Sequence, residues 1–179
     1  YESELLYENT EGLDVGILSK DYKYLTLTKA VNTNDIDLFL LNRDTGEMTK
    51  INENVSGNNS EDFDPDGKSF YYTTDDGAEF SYVMKYNLED GSKEKVLEKD
   101  WDITSYYFTR NGKYQVTFSN EDAKNVMVVT EVATGKEVEF PTFEDQEISS
   151  AGFSRDESMA LLRVGGSHTP TNSYSYNLE

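Results

Sequence analysis

The sequence predicts an all-β protein of the β-propeller class, built from four repeats, or blades, of about 45 residues with four antiparallel strands each. The composition favours strands, since 13 Tyr and 9 Phe stand beside only 3 Pro in 179 residues. Apolar and polar residues alternate in short runs such as LTLT and QVTF, and long runs with helical periodicity are absent. A turn motif also recurs at a fixed spacing, which is typical of repeat architectures.

The turn motif defines the repeat. It reads LSKDYKYLTLT, FDPDGKSFYYT, FTRNGKYQVTF and FSRDESMALLR, and its central Asp or Asn recurs every 45 residues at Asp21, Asp66, Asn111 and Asp156. A second marker, DTGE, EDGS or ATGK, recurs at spacings of 45 and 44 residues and contains Gly46, Gly91 and Gly135. Asp or Asn followed by Gly supplies the positive φ of hairpin turns, so each marker predicts a turn between two strands.

The second repeat predicts the strands of a blade. We expect strands a, b, c and d at Ser60–Phe63, Ser69–Thr74, Phe80–Asn87 and Lys93–Leu97. A blade cannot bury both faces alone, so its neighbours must cover them. The aromatic residue before the turn recurs at one position and is expected between blades, with a leucine in the first repeat: Leu18, Phe63, Phe108 and Phe153.

The phase of the repeat predicts a single propeller segment over residues 1–179, with four repeats in d-a-b-c order. Aligned with the second marker, the chain opens with a strand d at Glu2–Glu8, in which Leu5 and Leu6 are protected. It closes after a strand c at Ser173–Glu179. Both strands leave an unpaired edge, so ring closure within one chain or a homodimer through edge strands is expected.

Charge and composition exclude several classes of partner. The chain has 16 Lys+Arg against 35 Asp+Glu, a net charge of −19, which disfavours nucleic acid and anionic membranes. It has no Cys, no apolar run of about 20 residues and no signal peptide. We expect a soluble piece of a longer protein, from a bacterial cytoplasm or periplasm, with the compartment undetermined.

The run DFDPDG resembles a calcium-binding loop because Asp62, Asp64 and Asp66 alternate before a glycine. Such a loop needs a bidentate Glu at its twelfth position, where this chain has Thr73. The matching turns in the other repeats favour a structural turn instead. No metal site is therefore predicted.

No catalytic constellation is visible. The nucleophile elbow G-x-S-x-G is absent, and the single histidine, His168, follows Ser167 directly in a loop. Adjacent loop residues do not orient a base onto its neighbour's hydroxyl. Other candidates are interpreted as surface or packing residues, namely the carboxylate pairs Asp75–Asp76, Glu121–Asp122 and Glu144–Asp145, Trp101, and tyrosines 71, 72, 106 and 107. The sequence therefore predicts no catalytic residue and no cofactor-binding residue, and it does not identify the substrate-binding residues.

Function is expected in the loops of one propeller face. The b–c and d–a connections share that face and are expected to be the longer ones. The b–c connections are predicted at Thr28–Asp35, Thr74–Glu79, Ser119–Asn125 and Gly165–Asn172.

The repeats FDPDGKSFYYTTDDG and DLFLLNRDTGE resemble those of TolB-type propellers. More narrowly, the run Tyr7–Glu47 resembles the N-terminal propeller of the prolyl oligopeptidase family of serine peptidases, including its bacterial dipeptidyl-aminopeptidase and acylaminoacyl-peptidase types. The resemblance implies a seven- or eight-bladed propeller that caps a C-terminal α/β-hydrolase domain, and this second domain is absent from the chain. Some members anchor the substrate's amine with a glutamate pair on a propeller helix, but no segment here matches it.

The resemblance therefore predicts a non-catalytic propeller segment that gates and selects peptide substrates for a serine peptidase. Its expected partners are the α/β-hydrolase domain of the parent chain and the peptides, and it needs no cofactor. The alternative is a TolB-like propeller that acts as a protein–protein binding module.

Overall fold

A computed structural model describes residues 2–179. The chain divides into two compact units, residues 1–97 and 98–179. Residues 2–179 contain no helix, and their strands form four separate antiparallel sheets. The predicted all-β fold with four blades is confirmed.

Unit 1 contains two four-stranded sheets, each ordered as it runs along the chain. The first is formed by β1 (Asp14–Leu18), β2 (Tyr24–Ala30), β3 (Ile36–Asn42) and β4 (Glu47–Lys50). The second is formed by β5 (Asn58–Phe63), β6 (Ser69–Thr74), β7 (Tyr82–Asn87) and β8 (Lys93–Leu97). Strands b and d of the second repeat have the bounds that the sequence predicted, and strands a and c differ by two residues at their first positions.

Unit 2 contains a four-stranded and a three-stranded sheet. The first is formed by β9 (Asp102–Phe108), β10 (Tyr114–Glu121), β11 (Lys124–Glu131) and β12 (Lys136–Glu137). The second is formed by β13 (Glu147–Phe153), β14 (Met159–Gly166) and β15 (Thr169–Asn177). The last strand is the predicted strand c of the fourth repeat, although it begins four residues earlier.

The four turns between strands a and b share one hydrogen-bond pattern. The first turn residue accepts a bond from the N–H three positions later, at 2.8–3.1 Å, and donates its own N–H to the carbonyl five positions later. The acceptors are Ser19, Asp64, Thr109 and Ser154. The third following residue has positive φ in every case: Tyr22, Gly67, Gly112 and Glu157. The interpretation of DPDG as a repeated hairpin turn is therefore confirmed.

Aromatic residues at the recurrent position before the turn pack between neighbouring sheets. Phe63 is 4% exposed and lies in a buried cluster with Leu38 and Leu40 of the first sheet and Phe70 of its own. In unit 2, Phe153 stacks on Tyr114 of the preceding sheet with 5.9 Å between ring centroids. The predicted location between blades is confirmed for Phe63 and Phe153.

The predicted strand at Glu2–Glu8 is wrong, since these residues have no strand conformation. Leu5 and Leu6 are 73% and 39% exposed, so they are not protected as expected. Other contacts hold the segment. Tyr7 packs against the apolar face of the first sheet, and the Arg43 guanidinium donates to the carbonyl of Leu6 at 3.1 Å. The three complete sheets accordingly run a-b-c-d, and the predicted d-a-b-c opening is not formed.

Candidate functional site

A polar cavity of about 140 Å³ lies in unit 1, where the connection from β4 to β5 meets the second sheet. It is bordered by the connection from β4 to β5 and by the b–c connection of the second sheet. Its lining combines buried polar groups with a few apolar side chains, namely Ile51, Asn52, Glu53, Asn58, Tyr72, Thr74, Asp76, Tyr82, Met84 and Lys93. Two of the connections that the sequence predicted as recognition loops therefore meet at one concave site.

Asn58 is the most deeply buried polar residue of this lining, at 1% exposure. Its Nδ2 donates to the backbone carbonyls of Ile36 at 2.8 Å and of Ser56 at 3.0 Å. Because both partners are acceptors, the amide orientation is determined by the backbone. Asn58 Oδ1 is buried and has no hydrogen-bond partner among the described residues. A residue of the cavity lining thus has a buried acceptor that lacks a donor.

Two tyrosines form the aromatic part of the wall. Tyr72 lies within β6 and is 4% exposed. Burial, and after it the proximity of Tyr82, Asp76 and Glu53, raises the pKa of Tyr72, so the phenol stays neutral at physiological pH. The Tyr82 hydroxyl donates to the carbonyl of Asp76 at 2.9 Å, and the Lys95 ammonium lies 4.1 Å from the Tyr82 ring centroid. These contacts position Tyr82 at the edge of the cavity.

Charged side chains lie on the solvent side of the cavity. Lys93 Nζ is 3.0 Å from Glu53 Oε1, and the Glu53 side chain is 83% exposed. The Asp76 carboxylate accepts both bonds from Asn54 Nδ2, at 3.1 and 3.0 Å. The rim therefore carries two carboxylates and one ammonium, and an ion pair already joins two of these groups.

Unit 2 has a second concave surface, a largely apolar groove of about 360 Å³. It is lined by β11, by residues 137–143 and by the start of β13. In this sheet strand d is reduced to β12, which pairs only with Thr130 and Glu131. Two further residues contact the same edge of β11. The Val138 N–H donates to the Val129 carbonyl at 2.8 Å, and the Glu147 carboxylate accepts from the Asn125 N–H.

Met127 lies midway between Val129 and Asn125 on this edge of β11. Backbone groups of alternate residues point to the same side of a strand, so Met127 directs its N–H and C=O to the groove. No strand of the described chain pairs with it there. Gln146, which also lines the groove, has a buried Oε1 with no hydrogen-bond partner among residues 2–179. The groove therefore offers an open sheet edge beside apolar side chains.

The residues that the sequence analysis considered for catalysis do not form a site together. Ser167 and His168 form an exposed two-residue turn between β14 and β15. The b–c connection of the third repeat is also only a two-residue turn, formed by Asp122 and Ala123 with φ of 50° and 60°. The expectation of longer b–c loops in these two repeats is therefore wrong. In the third repeat, the pair of positive-φ residues closes a tight hairpin.

The other candidates are spread over the chain. Glu121 is bound by the Lys99 ammonium at 2.8 Å and by the Ser119 hydroxyl, and both contacts lower its pKa. Asp75 caps the Gly57 N–H at 2.7 Å. Burial raises the pKa of Tyr106 and of Tyr107 to about 12. Trp101 is 39% exposed, and Glu144 and Asp145 are exposed.

Among residues 2–179, no group of three or more His, Cys, Asp or Glu side chains is arranged to hold a metal ion. No helix in this range is long and apolar enough to cross a membrane. Sequence reasoning missed Asn58 and Lys93, because neither residue belongs to a motif and only tertiary packing brings them together.

Similar proteins agree with the repeat architecture. A solved structure titled as an analysis of two prolyl endopeptidases superposes with a TM-score of 0.74 at 17% identity, covering 93% of this chain and 24% of the other. TolB from Acinetobacter baumannii superposes with a TM-score of 0.61 at 16% identity, covering 90% of this chain and 42% of the other. Putative TolB from Agrobacterium tumefaciens superposes with a TM-score of 0.62 at 12% identity, covering 92% of this chain and 65% of the other. This chain thus spans less than two thirds of each of these proteins. No curated protein matches the sequence.

The family model for the prolyl oligopeptidase N-terminal β-propeller domain matches residues 2–179. This range includes all four sheets, the four repeated turns and both concave sites. The chain therefore belongs to the family of prolyl oligopeptidase N-terminal β-propeller domains.

Proposed function

We propose that this chain is a non-catalytic propeller segment of a serine peptidase, where it gates and selects peptide substrates for an α/β-hydrolase domain. The observation that carries the proposal is the family match over residues 2–179. The exposed Ser167–His168 turn supports it, because no third group within residues 2–179 orients this hydroxyl and this imidazole. On this proposal the chemistry belongs to the hydrolase domain.

An active-site probe tests this proposal. The complete parent protein and the 179-residue chain are each incubated with a fluorophosphonate, which labels activated serines. We expect labelling of the complete protein, at a serine outside residues 1–179, and none of the chain alone. Labelling of Ser167 that is lost in His168→Ala would contradict the proposal. So would a complete protein that is neither labelled nor able to cleave peptides.

The gating role needs a separate measurement. The complete protein is assayed with a short peptide and with the same cleavable sequence placed inside a folded carrier protein. Gating predicts cleavage of the short peptide only. Equal cleavage of both substrates would show that the propeller does not select by size.

A second candidate function is a protein–protein binding module, as in the alternative drawn from the TolB-like repeats. The groove of unit 2 favours it, because an extended partner strand could pair with Met127 while its apolar side chains enter the groove. Glu137 and Glu147 line the groove, so a strand that alternates valine with lysine is the expected occupant.

The test uses a synthetic peptide with alternating valine and lysine and a matched peptide with N-methylated backbone amides. Pairing with the edge predicts that only the unmodified peptide binds and that it protects the Met127 amide from hydrogen exchange. Equal binding of both peptides, or of neither, would count against this function.

A further inference from the structure

We propose that the cavity of unit 1 binds an alkylammonium group, namely the side chain of a lysine presented by a peptide. The cavity combines an unpartnered buried acceptor, two carboxylates at its rim and an apolar wall. The identification of the peptide as the source of the ammonium rests on the proposed function. Binding of the ammonium itself does not, because it is a property of this chain alone.

The first argument is the unsatisfied acceptor. Asn58 is 1% exposed, and its Oδ1 has no partner among the described residues although its Nδ2 is fully engaged. A buried acceptor without a donor costs on the order of 1–3 kcal/mol, so a chain retains one where something supplies the donor. The donor must fit within about 140 Å³. This is room for four or five waters of roughly 30 Å³ each, or for an ammonium on a short alkyl stem.

The second argument comes from the other repeats, which act as internal references. The positions 45 residues away from Asn58 in successive repeats are Leu13, Ile103 and Ile148. Leu13 and Ile103 are 4% and 2% exposed, so the position is normally filled by an aliphatic core residue. A folded blade thus does not need an amide here. The polar residue of the second repeat is a local exception, and it lines the cavity.

The third argument is charge. Glu53 and Asp76 both line the cavity, and Asp76 contributes to the raised pKa of Tyr72 by its proximity. An anionic ligand would be repelled by both carboxylates. The protein already places one ammonium at this rim, since Lys93 Nζ is 3.0 Å from Glu53 Oε1. Lys93 therefore shows the chemistry that the rim accepts, and it competes with an incoming lysine.

The fourth argument is the apolar wall. Ile51 is fully buried, and Met84 packs against the same cluster of side chains. Methylene groups can lie against this wall while the ammonium reaches acceptors, as in buried lysine stems elsewhere. The combination of a short apolar path and a polar end distinguishes a lysine side chain from a free amino terminus, which has no stem.

The proposal is tested by titrating the chain with acetyl-lysine-methylamide, followed by NMR of the Asn58 side-chain amide and by calorimetry. The matched probe is acetyl-norleucine-methylamide, which has the same stem without the charge. A dipeptide of alanine provides a free amino terminus. We expect saturable binding of the lysine probe only, with an affinity that falls as salt is added. Equal binding of the norleucine probe, preference for the dipeptide, or no shift of the Asn58 amide would overturn the proposal.

Variants assign the effect to the cavity. Glu53→Gln should lower the affinity for the lysine probe about fivefold, which is the order of magnitude expected for the loss of one rim charge. Lys93→Met should raise this affinity by a similar factor, because the competing ammonium is removed. Glu94→Gln is the matched control, since it makes the same charge change on the opposite face of β8 and should leave the affinity unchanged. Identical affinity in Glu53→Gln and Lys93→Met would refute the assignment.

A last variant separates binding from folding. Asn58→Leu restores the aliphatic residue of the other repeats, and we expect a folded protein that no longer binds the lysine probe. Unchanged binding by a folded Asn58→Leu would contradict the role of the amide. If this variant does not fold, the rim variants above decide the proposal.

Discussion

Replacing Phe63 with alanine tests the packing of neighbouring blades. Phe63 is 4% exposed, its ring centroid lies 5.2 Å from that of Phe70, and it shares a cluster with Leu38 and Leu40 of the adjacent sheet. Truncating a buried phenylalanine costs about 3–5 kcal/mol, from lost burial and the cavity left behind. A domain of this size loses roughly 2–4 °C in Tm per kcal/mol. The variant should therefore melt roughly 6–20 °C below the unchanged protein.

The measurement is differential scanning calorimetry, with urea unfolding followed by circular dichroism as a second readout. Tyr22→Ala is the control, because it removes an aromatic ring that is 61% exposed and should change stability by no more than about 0.5 kcal/mol. If Phe63→Ala and Tyr22→Ala lower the Tm equally, the recurrent aromatic position does not join the blades and the packing argument fails.

For three further substitutions, the structure determines whether the free energy of unfolding rises or falls. Tyr22→Gly should stabilise by about 0.5 kcal/mol in urea unfolding, because φ of 63° strains a residue with a Cβ and glycine relieves it, whereas Tyr22→Ala should not. Glu157→Ala should destabilise by about 2 kcal/mol or more, because the buried carboxylate accepts two backbone N–H groups of the neighbouring turn. Hydrogen bonds from the Ser154 hydroxyl and then the Ser158 N–H lower the pKa of Asp156 to about 2. Its contribution is therefore present above about pH 4 and lost toward pH 2, so the Tm difference from Asp156→Asn should vanish over that range.

Local turn chemistry explains what the sequence could predict. The bounds of β6 and β8 follow from turns whose positive-φ residues, such as Gly67 and Gly91, determine where each strand starts. A spacing of 45 residues then transfers those positions to other repeats. Because the turn bonds form within six residues, no tertiary information is needed.

The segment Glu2–Glu8 shows why other parts of the fold and of the candidate site could not be predicted from the sequence. Its repeat register assigns Glu2–Glu8 to a strand d, but a strand forms only where a neighbouring edge accepts its hydrogen bonds. No strand in the described chain pairs with this segment. The Asn9 side chain instead binds both the N–H and the carbonyl of Leu13, which holds the chain in a turn. Likewise, nothing in the sequence near Asn58 reveals that it faces a cavity, because the cavity is lined by residues up to 42 positions apart.

The repeat nevertheless gives a way to separate residues that serve the fold from residues that serve something else. A position occupied by equivalent residues in every blade is explained by the blade, as for Phe63 and Phe153. A position that departs from the pattern needs another cause, and Glu157 shows one, since it replaces the turn glycine but bonds to the neighbouring turn. Asn58 departs equally from its aliphatic counterparts, yet its Oδ1 bonds to nothing in the described chain. The bonds of its Nδ2 to Ile36 and Ser56 account for half of this amide, and the buried acceptor that remains is the kind of group where a ligand is expected, beside the two loops that border the cavity.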